Sequence, residues 1–235
     1  MFEIYRSTVV SRGLRALPVG LGLGLAGLMA FLSYLDRPRH LPADLLAIVY
    51  TIVVTSGLIG MDILNGSTHL LLTRPITRNG YLAGRFLGAL TVSGGACLLM
   101  YATATVAAAL RGDGAEGVRV FGAQALGALA GVIWTSSVML FFSTMLPERG
   151  DVLGYLGVMV TALSVVGIAR LVSHATLVTA AQQVSENLMN VLALSDLAAH
   201  PALLSDVLRW SSNTALVLAG AAVAFHHREF SYAAG

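Results

Sequence analysis

Lysine is missing from all 235 residues, and the fourteen cationic side chains are arginine without exception. A P-loop needs the lysine of its G-x-x-x-x-G-K-[ST] run to reach the terminal phosphates, so this chain does not hold ATP in that way. Charge of either sign is scarce, at 11% of residues against about a quarter in an average soluble domain. A net charge of +2 gives no footprint for nucleic acid. A single cysteine, Cys97, excludes an intrachain disulfide, leaves the redox compartment open, and reads as a small packed apolar side chain. No H-E-x-x-H occurs and every histidine lies outside the apolar runs, so no metal site is expected and Ser93–Gly94–Gly95 has no base within the spans. These absences predict a chain without enzymatic activity and without a cofactor of its own.

What is present is apolar: 56% of residues are hydrophobic and the mean hydropathy is +0.78. Charge-free runs cover Ala16–Leu35, Leu45–Met61, Phe86–Leu110, Val120–Leu146, Val152–Ala169 and Trp210–Phe225. A helix needs about 20 mostly apolar residues to cross the hydrocarbon core, so the runs predict an all-α integral membrane protein with six transmembrane helices. Barrel strands would instead show short alternating segments. The shorter runs extend through residues that snorkel or sit at the interface, such as Asp44, Asp62, Arg170 and Arg209. The first run follows Arg6, Arg12 and Arg15, like a signal peptide, but ends at Tyr34–Leu35–Asp36 without a small-residue cleavage pattern and precedes further spans.

Six spans place both termini on one side. The terminal side then carries Arg6, Arg12, Arg15, Arg74, Arg78, Arg85, Arg149 and Arg228, against Arg37, Arg39, Arg111, Arg119, Arg170 and Arg209 opposite. Basic residues of short loops stay in the cytoplasm, so both termini are expected there. Residues 1–17 mix Phe2, Ile4, Tyr5, Val9 and Leu14 with three arginines, which suits an interfacial helix, and Pro18 suits a bend after it. Arg111–Gly117 reads as a glycine-rich outer connection and Pro147–Asp151 as a tight cytoplasmic turn. The stretch 172–206 is too long for a turn and too polar to span, and its patterning predicts short amphipathic outer helices. The whole of 1–235 reads as one transmembrane domain.

Gly22–Leu–Gly24–Leu–Ala–Gly27 matches the dinucleotide fingerprint in letters only, since the fingerprint needs a strand before it and a water-facing helix start. Inside a span, glycines at this spacing let helices approach, as do Gly20/Gly24, Gly84/Gly88 and Gly127/Gly131. The informative segment is 65–85 together with the preceding Asp62. An acidic residue is followed four positions on by Gly66–Ser67, then by Leu70–Leu71–Leu72, then by Arg74–Pro75–Ile76–Thr77–Arg78, and finally by Tyr81 and Gly84–Arg85 leading into the third span. A helix capped by Ser67 or Thr68 would carry the leucines and stop at Arg74, because a residue before proline disfavours helix. Asp62 needs a partner at that depth, with the N-terminal arginines or Arg85 as candidates. His226 and His227 are adjacent, point about 100° apart on a helix, and read as tail residues rather than a metal pair.

On these residues the chain resembles the ABC-2-type permeases, with Asp62 and Arg85 standing where that family more often has Glu and Lys. The chain's ending, Phe225–His226–His227–Arg228–Glu229–Phe230, is similar as well. The resemblance implies a type V exporter-like fold, with an N-terminal interfacial helix and short outer helices before the last span. It implies a permease subunit in the bacterial inner membrane, working as a homo- or heterodimer with a second copy or paralogue. ATP and magnesium would sit on a separate ABC ATPase. Gly66, Ser67, Leu71, Leu72, Arg74, Pro75, Thr77 and Arg78 would couple to that ATPase, with Asp62 and Arg85 as a structural ion pair. The alternative meaning of the arginines is adhesion to anionic headgroups. Candidate pathway residues are Thr51, Thr55, Tyr155 and Thr161, chosen from their places in spans two and five. The alternative function, a secondary transporter or channel, needs titratable residues inside spans, and none lies in the cores of the six runs.

Overall fold

The computed structural model describes residues 2–13, 16–35, 43–64, 77–146, 150–172, 178–180 and 203–227. Its helices are α1 (Phe2–Gly13), α2 (Ala16–Leu35), α3 (Ala43–Thr55), α4 (Gly60–Leu64), α5 (Arg78–Leu110), α6 (Gly114–Met145), α7 (Gly150–Val172) and α8 (Leu203–His227). No strand occurs among the described residues. Five helical segments are long and apolar enough to cross a membrane: Leu17–Leu35, Leu45–Leu64, Arg78–Leu110, Gly117–Met145 and Gly150–Ile168. The sixth expected run lies on α8, whose first half carries Asp206, Arg209, Ser211, Ser212 and Asn213 and which is not one of the five.

The two longest helices form the spine. At 33 residues α5 is about 50 Å long by helical rise, well beyond the ~30 Å hydrocarbon core, so its ends project past the apolar layer. It packs along α6, and α1, α2 and α3 lie against it; α6 in turn carries α3, α7 and α8. Three apolar clusters result. The largest joins α2, α3, α5 and α6 through Met29, Tyr50, Val54, Met100, Tyr101, Phe121 and Val132, with Cys97 buried among them. A second gathers Ile4, Leu58, Ile59, Tyr81, Leu140 and Phe225 where α1, α5, α6 and α8 meet. The third places Tyr155 of α7 against Trp134, Val138 and Met139 of α6.

Several expectations change. The third span was placed from Phe86, yet the helix starts at Arg78, because Thr77 caps it: the Gly80 N–H donates to Thr77 Oγ1 at 3.1 Å. Residues 78–85 are thus the first turns of α5 rather than part of a loop. The outer connection Arg111–Gly117 shrinks to Arg111–Asp113, with α6 already begun at Gly114. His226 and His227 belong to the last turn of α8. Of the close-packing glycine pairs, Gly88 does meet another helix, since a Cβ there would lie 2.6 Å from Thr8 Cβ of α1. Gly20 and Gly24 have nothing within 4 Å among the described residues. The side chains of Asp44 and Arg170, residues 65–76, the tail from Arg228, and residues 173–177 and 181–202 of the expected outer region lie outside the described residues.

Candidate functional site: a broken second span and the junction of α4 with α5

The second apolar run was expected to be one continuous helix. Instead α3 ends at Thr55, and α4 restarts at Gly60 after the turn 56–59. The local cause lies in Thr51, Thr55 and the Ser56–Gly57 pair that follows. Thr51 and Thr55 turn their hydroxyls onto the carbonyls of Ala47 and Thr51, both at 2.7 Å, a back-bonding that bends helices. Ser56–Gly57 follows, a serine–glycine pair of the kind found at sharp kinks. Gly57 takes φ +64, the left-handed conformation that ends helices and that side-chain-bearing residues avoid.

A break within an apolar layer leaves backbone groups that must find partners inside the protein. Here charges supply them. From α1, Arg12 donates to the carbonyls of Val54 (3.4 Å), Ser56 (2.6 Å) and Gly57 (3.0 Å), placing a cation at the C-terminal end of α3. From the start of α7, Asp151 accepts the Gly57 N–H at 2.7 Å, and from α6 the Ser143 hydroxyl accepts the N–H groups of Ile59 (2.9 Å) and Gly60 (3.0 Å). Gly57 is therefore gripped from both sides, its carbonyl by Arg12 and its amide by Asp151. Asp151 is fully buried and also accepts its neighbour's N–H, Val152, at 2.9 Å. The expected turn Pro147–Asp151 is corrected at its end: α7 begins at Gly150 and folds Asp151, in its first turn, inward onto the break.

Below the break, α4 joins α5. Asp62 and Arg85 form an ion pair, and the Tyr81 hydroxyl donates to the same Asp62 oxygen. Arg85 also reaches Thr8 Oγ1 of α1 at 3.2 Å. Its guanidinium lies 5.6 Å from the centroid of the Tyr81 ring, whose other neighbour, Phe225 of α8, stacks at 5.7 Å and 16°. One residue further along, Arg78 donates to the His226 carbonyl at 2.6 Å, tying the first turn of α5 to the last turn of α8. The helices flanking residues 65–76 are thus fastened to each other and to α1 and α8.

The sequence-selected residues fall into three groups. Asp62 and Arg85 come together at this junction, while Thr77 caps α5 and Arg78 ties its first turn to α8. Gly66, Ser67, Leu71, Leu72, Arg74 and Pro75 lie outside the described residues. Thr51, Thr55 and Tyr155 are buried inside the chain, the last sharing a 3.2 Å hydrogen bond with Thr135, whereas Thr161 is exposed and donates to the Gly157 carbonyl. The sequence reading missed Arg12, Ser143 and Asp151 as a set, because they lie on three different helices. Only Ser56–Gly57 gave a local signal.

No curated protein gives a significant match to this chain. The family model described as ABC-2 family transporter protein matches residues 25–198, a stretch that takes in the broken span, the α4–α5 junction and all of α6 and α7. With most of its length covered by that match, and with apolar helices long enough to cross a bilayer, the chain is a multi-pass membrane protein that belongs to the ABC-2 family of transporter proteins.

Proposed function

We propose that this chain is the membrane-spanning permease subunit of an ATP-driven exporter, working as a homo- or heterodimer with a second such subunit and driven by a separate ABC ATPase. The observation that carries the reading is the family match over residues 25–198, which contains the motif-bearing segment between α4 and α5. The absence of lysine agrees with it, because no P-loop lies within residues 1–235. In this reading α8, at 25 residues, is the sixth crossing, both termini are cytoplasmic, and the membrane is the bacterial inner membrane. Residues 65–78 dock on the ATPase, with Leu71 and Leu72 as the apolar face and Arg74, Pro75 and Arg78 at its edge. The α4–α5 junction passes the displacement on. Asp62 and Arg85 keep the two ends of the docking segment together, so that a push on it reaches both helices.

The experiment is co-purification of the reconstituted permease with ABC ATPases from the same genome, followed by nucleotide hydrolysis with and without the permease. Pro75→Ala and Arg78→Ala are expected to weaken association or stimulated hydrolysis. Unchanged association and hydrolysis in both variants would remove the docking role. Solute transport by the purified chain alone would remove the ATP-driven reading.

One observation speaks for a secondary transporter instead: a buried carboxylate, Asp151, at a discontinuous helix, an arrangement those transporters use for coupling ions. Its oxygens, however, already accept from Gly57 and Val152, and Ser143 adds a side-chain hydrogen bond, which suits a structural role.

A further inference from the structure

We propose that the 56–59 break is the flexure of this permease, and that Arg12, Asp151 and Ser143 are positioning residues that latch it in its present bend. The inference takes from the proposed function only the origin of the force. Between α3 and α4 the helical ladder is interrupted: Leu58 N–H reaches back only to Thr55 O at 3.1 Å, and Gly57 N–H leaves the helix altogether for Asp151. Resistance to bending therefore comes from side chains on α1, α6 and α7, and each such bond can open without unwinding either helical piece. On the far side, α4 has only five residues and is tied to α5 through Asp62, Tyr81 and Arg85. α4 thus goes with the first turns of α5, α3 with the later turns of α5 and with α6, and the break is the compliant link between the two. A permanent kink needs only its backbone groups satisfied, and hydroxyls such as Ser143 can do that. Two charges of opposite sign at one break, one of them fully buried, are costlier than that task requires. They meet the two half-helix ends with matching polarity, the cation at carbonyls and the anion at amides.

The test places spin-label pairs in a Cys97→Ala background, at Val49→Cys with Leu64→Cys to span the break, and at Leu64→Cys with Leu87→Cys to span the junction; all three labelled positions are exposed. In nanodiscs holding the permease alone, Arg12→Gln and Ser143→Ala are expected to broaden the 49–64 distance distribution and leave 64–87 narrow. Amide exchange at Gly57, Ile59 and Gly60 should become about tenfold faster or more, and Arg12→Lys should restore part of the protection. In the complex with the ATPase, trapping with ADP and vanadate should shift the 49–64 distance and not 64–87. Arg12→Gln should already populate the trapped-like distance without nucleotide, which a residue that merely stabilises the fold would not do. If Arg12→Gln destroys the fold, Ser143→Ala carries the same readout. An unchanged 49–64 distribution in a folded Arg12→Gln or Ser143→Ala protein, or trapping that moves only 64–87 or neither, overturns the flexure. Broadening in the permease alone without any ATPase association supports the flexure and removes the coupling reading instead.

Discussion

Asp151→Asn is the sharpest single perturbation of this architecture, because it keeps the side chain's shape and removes only its charge and one acceptor. In the native chain the two carboxylate oxygens accept from Gly57 N–H at 2.7 Å and Val152 N–H at 2.9 Å, in a fully buried position. An asparagine offers one oxygen and one NH2 group, so one of these two backbone donors must face another donor. Losing a hydrogen bond to a charged group costs about 1.5–3 kcal/mol, and the buried donor left without an acceptor adds a similar desolvation term. Arg12 also loses its countercharge across Gly57. The expected destabilisation is about 3 kcal/mol, roughly a hundredfold in the unfolding equilibrium. The comparator is Asp206→Asn on α8, whose pairing with Arg209 at 3.4 Å is solvent-facing and contributes about 0.5 kcal/mol at most. Reversible SDS unfolding in micelles, followed by the fluorescence of Trp134 and Trp210, measures both. Equal effects from Asp151→Asn and Asp206→Asn, within about 0.5 kcal/mol, would refute the claim that a buried charge holds the break.

Gly57→Ala adds a Cβ to a residue at φ +64, and the same unfolding assay should register a loss of about 1–2 kcal/mol. Gly88→Ala forces a methyl to within 2.6 Å of Thr8 Cβ and 3.1 Å of the Tyr5 carbonyl, so α1 must shift. The expected cost is about 1–3 kcal/mol, with faster proteolysis of the N-terminal helix, whereas Gly95→Ala, with open space around it, should leave proteolysis unchanged. A double-mutant cycle of Asp62→Ala and Arg85→Ala should give a favourable coupling energy of about 1–3 kcal/mol; additive single effects would mean that the ion pair does not join α4 to α5.

The legible part of this chain was its solvent. Runs without charge announced helices in lipid, and five of them coincide with helical segments apolar enough to cross a membrane, because the cost of exposing backbone to hydrocarbon depends on composition over a whole window rather than on any one contact. The junction was half legible. Asp62 demanded a countercharge and Arg85 was one candidate, but so were the N-terminal arginines. One of those, Arg12, turned out to serve the break. The glycine spacing found a close neighbour at Gly88 and none among the described residues at Gly20 and Gly24, since spacing says that a helix can be approached closely and not by what. The starts of α5 and α6 were missed because capping by Thr77 and early initiation at Gly114 extend helices into polar sequence that apolar runs do not cover.

The sequence alone decided that this polypeptide lies in a membrane as helices, that residues 1–235 hold no P-loop, and that the segment after its second apolar run bears the marks of a transporter family. Those properties follow from composition and from short-range order, which neighbours along the chain determine. Tertiary structure decided where the second span breaks and what holds it. A run of apolar letters is compatible with one continuous helix, and Thr55–Ser56–Gly57 makes interruption only easier. The break persists because Arg12, Ser143 and Asp151, far apart in sequence, arrive at the same orphaned backbone groups, and that meeting is set by how α1, α6 and α7 pack.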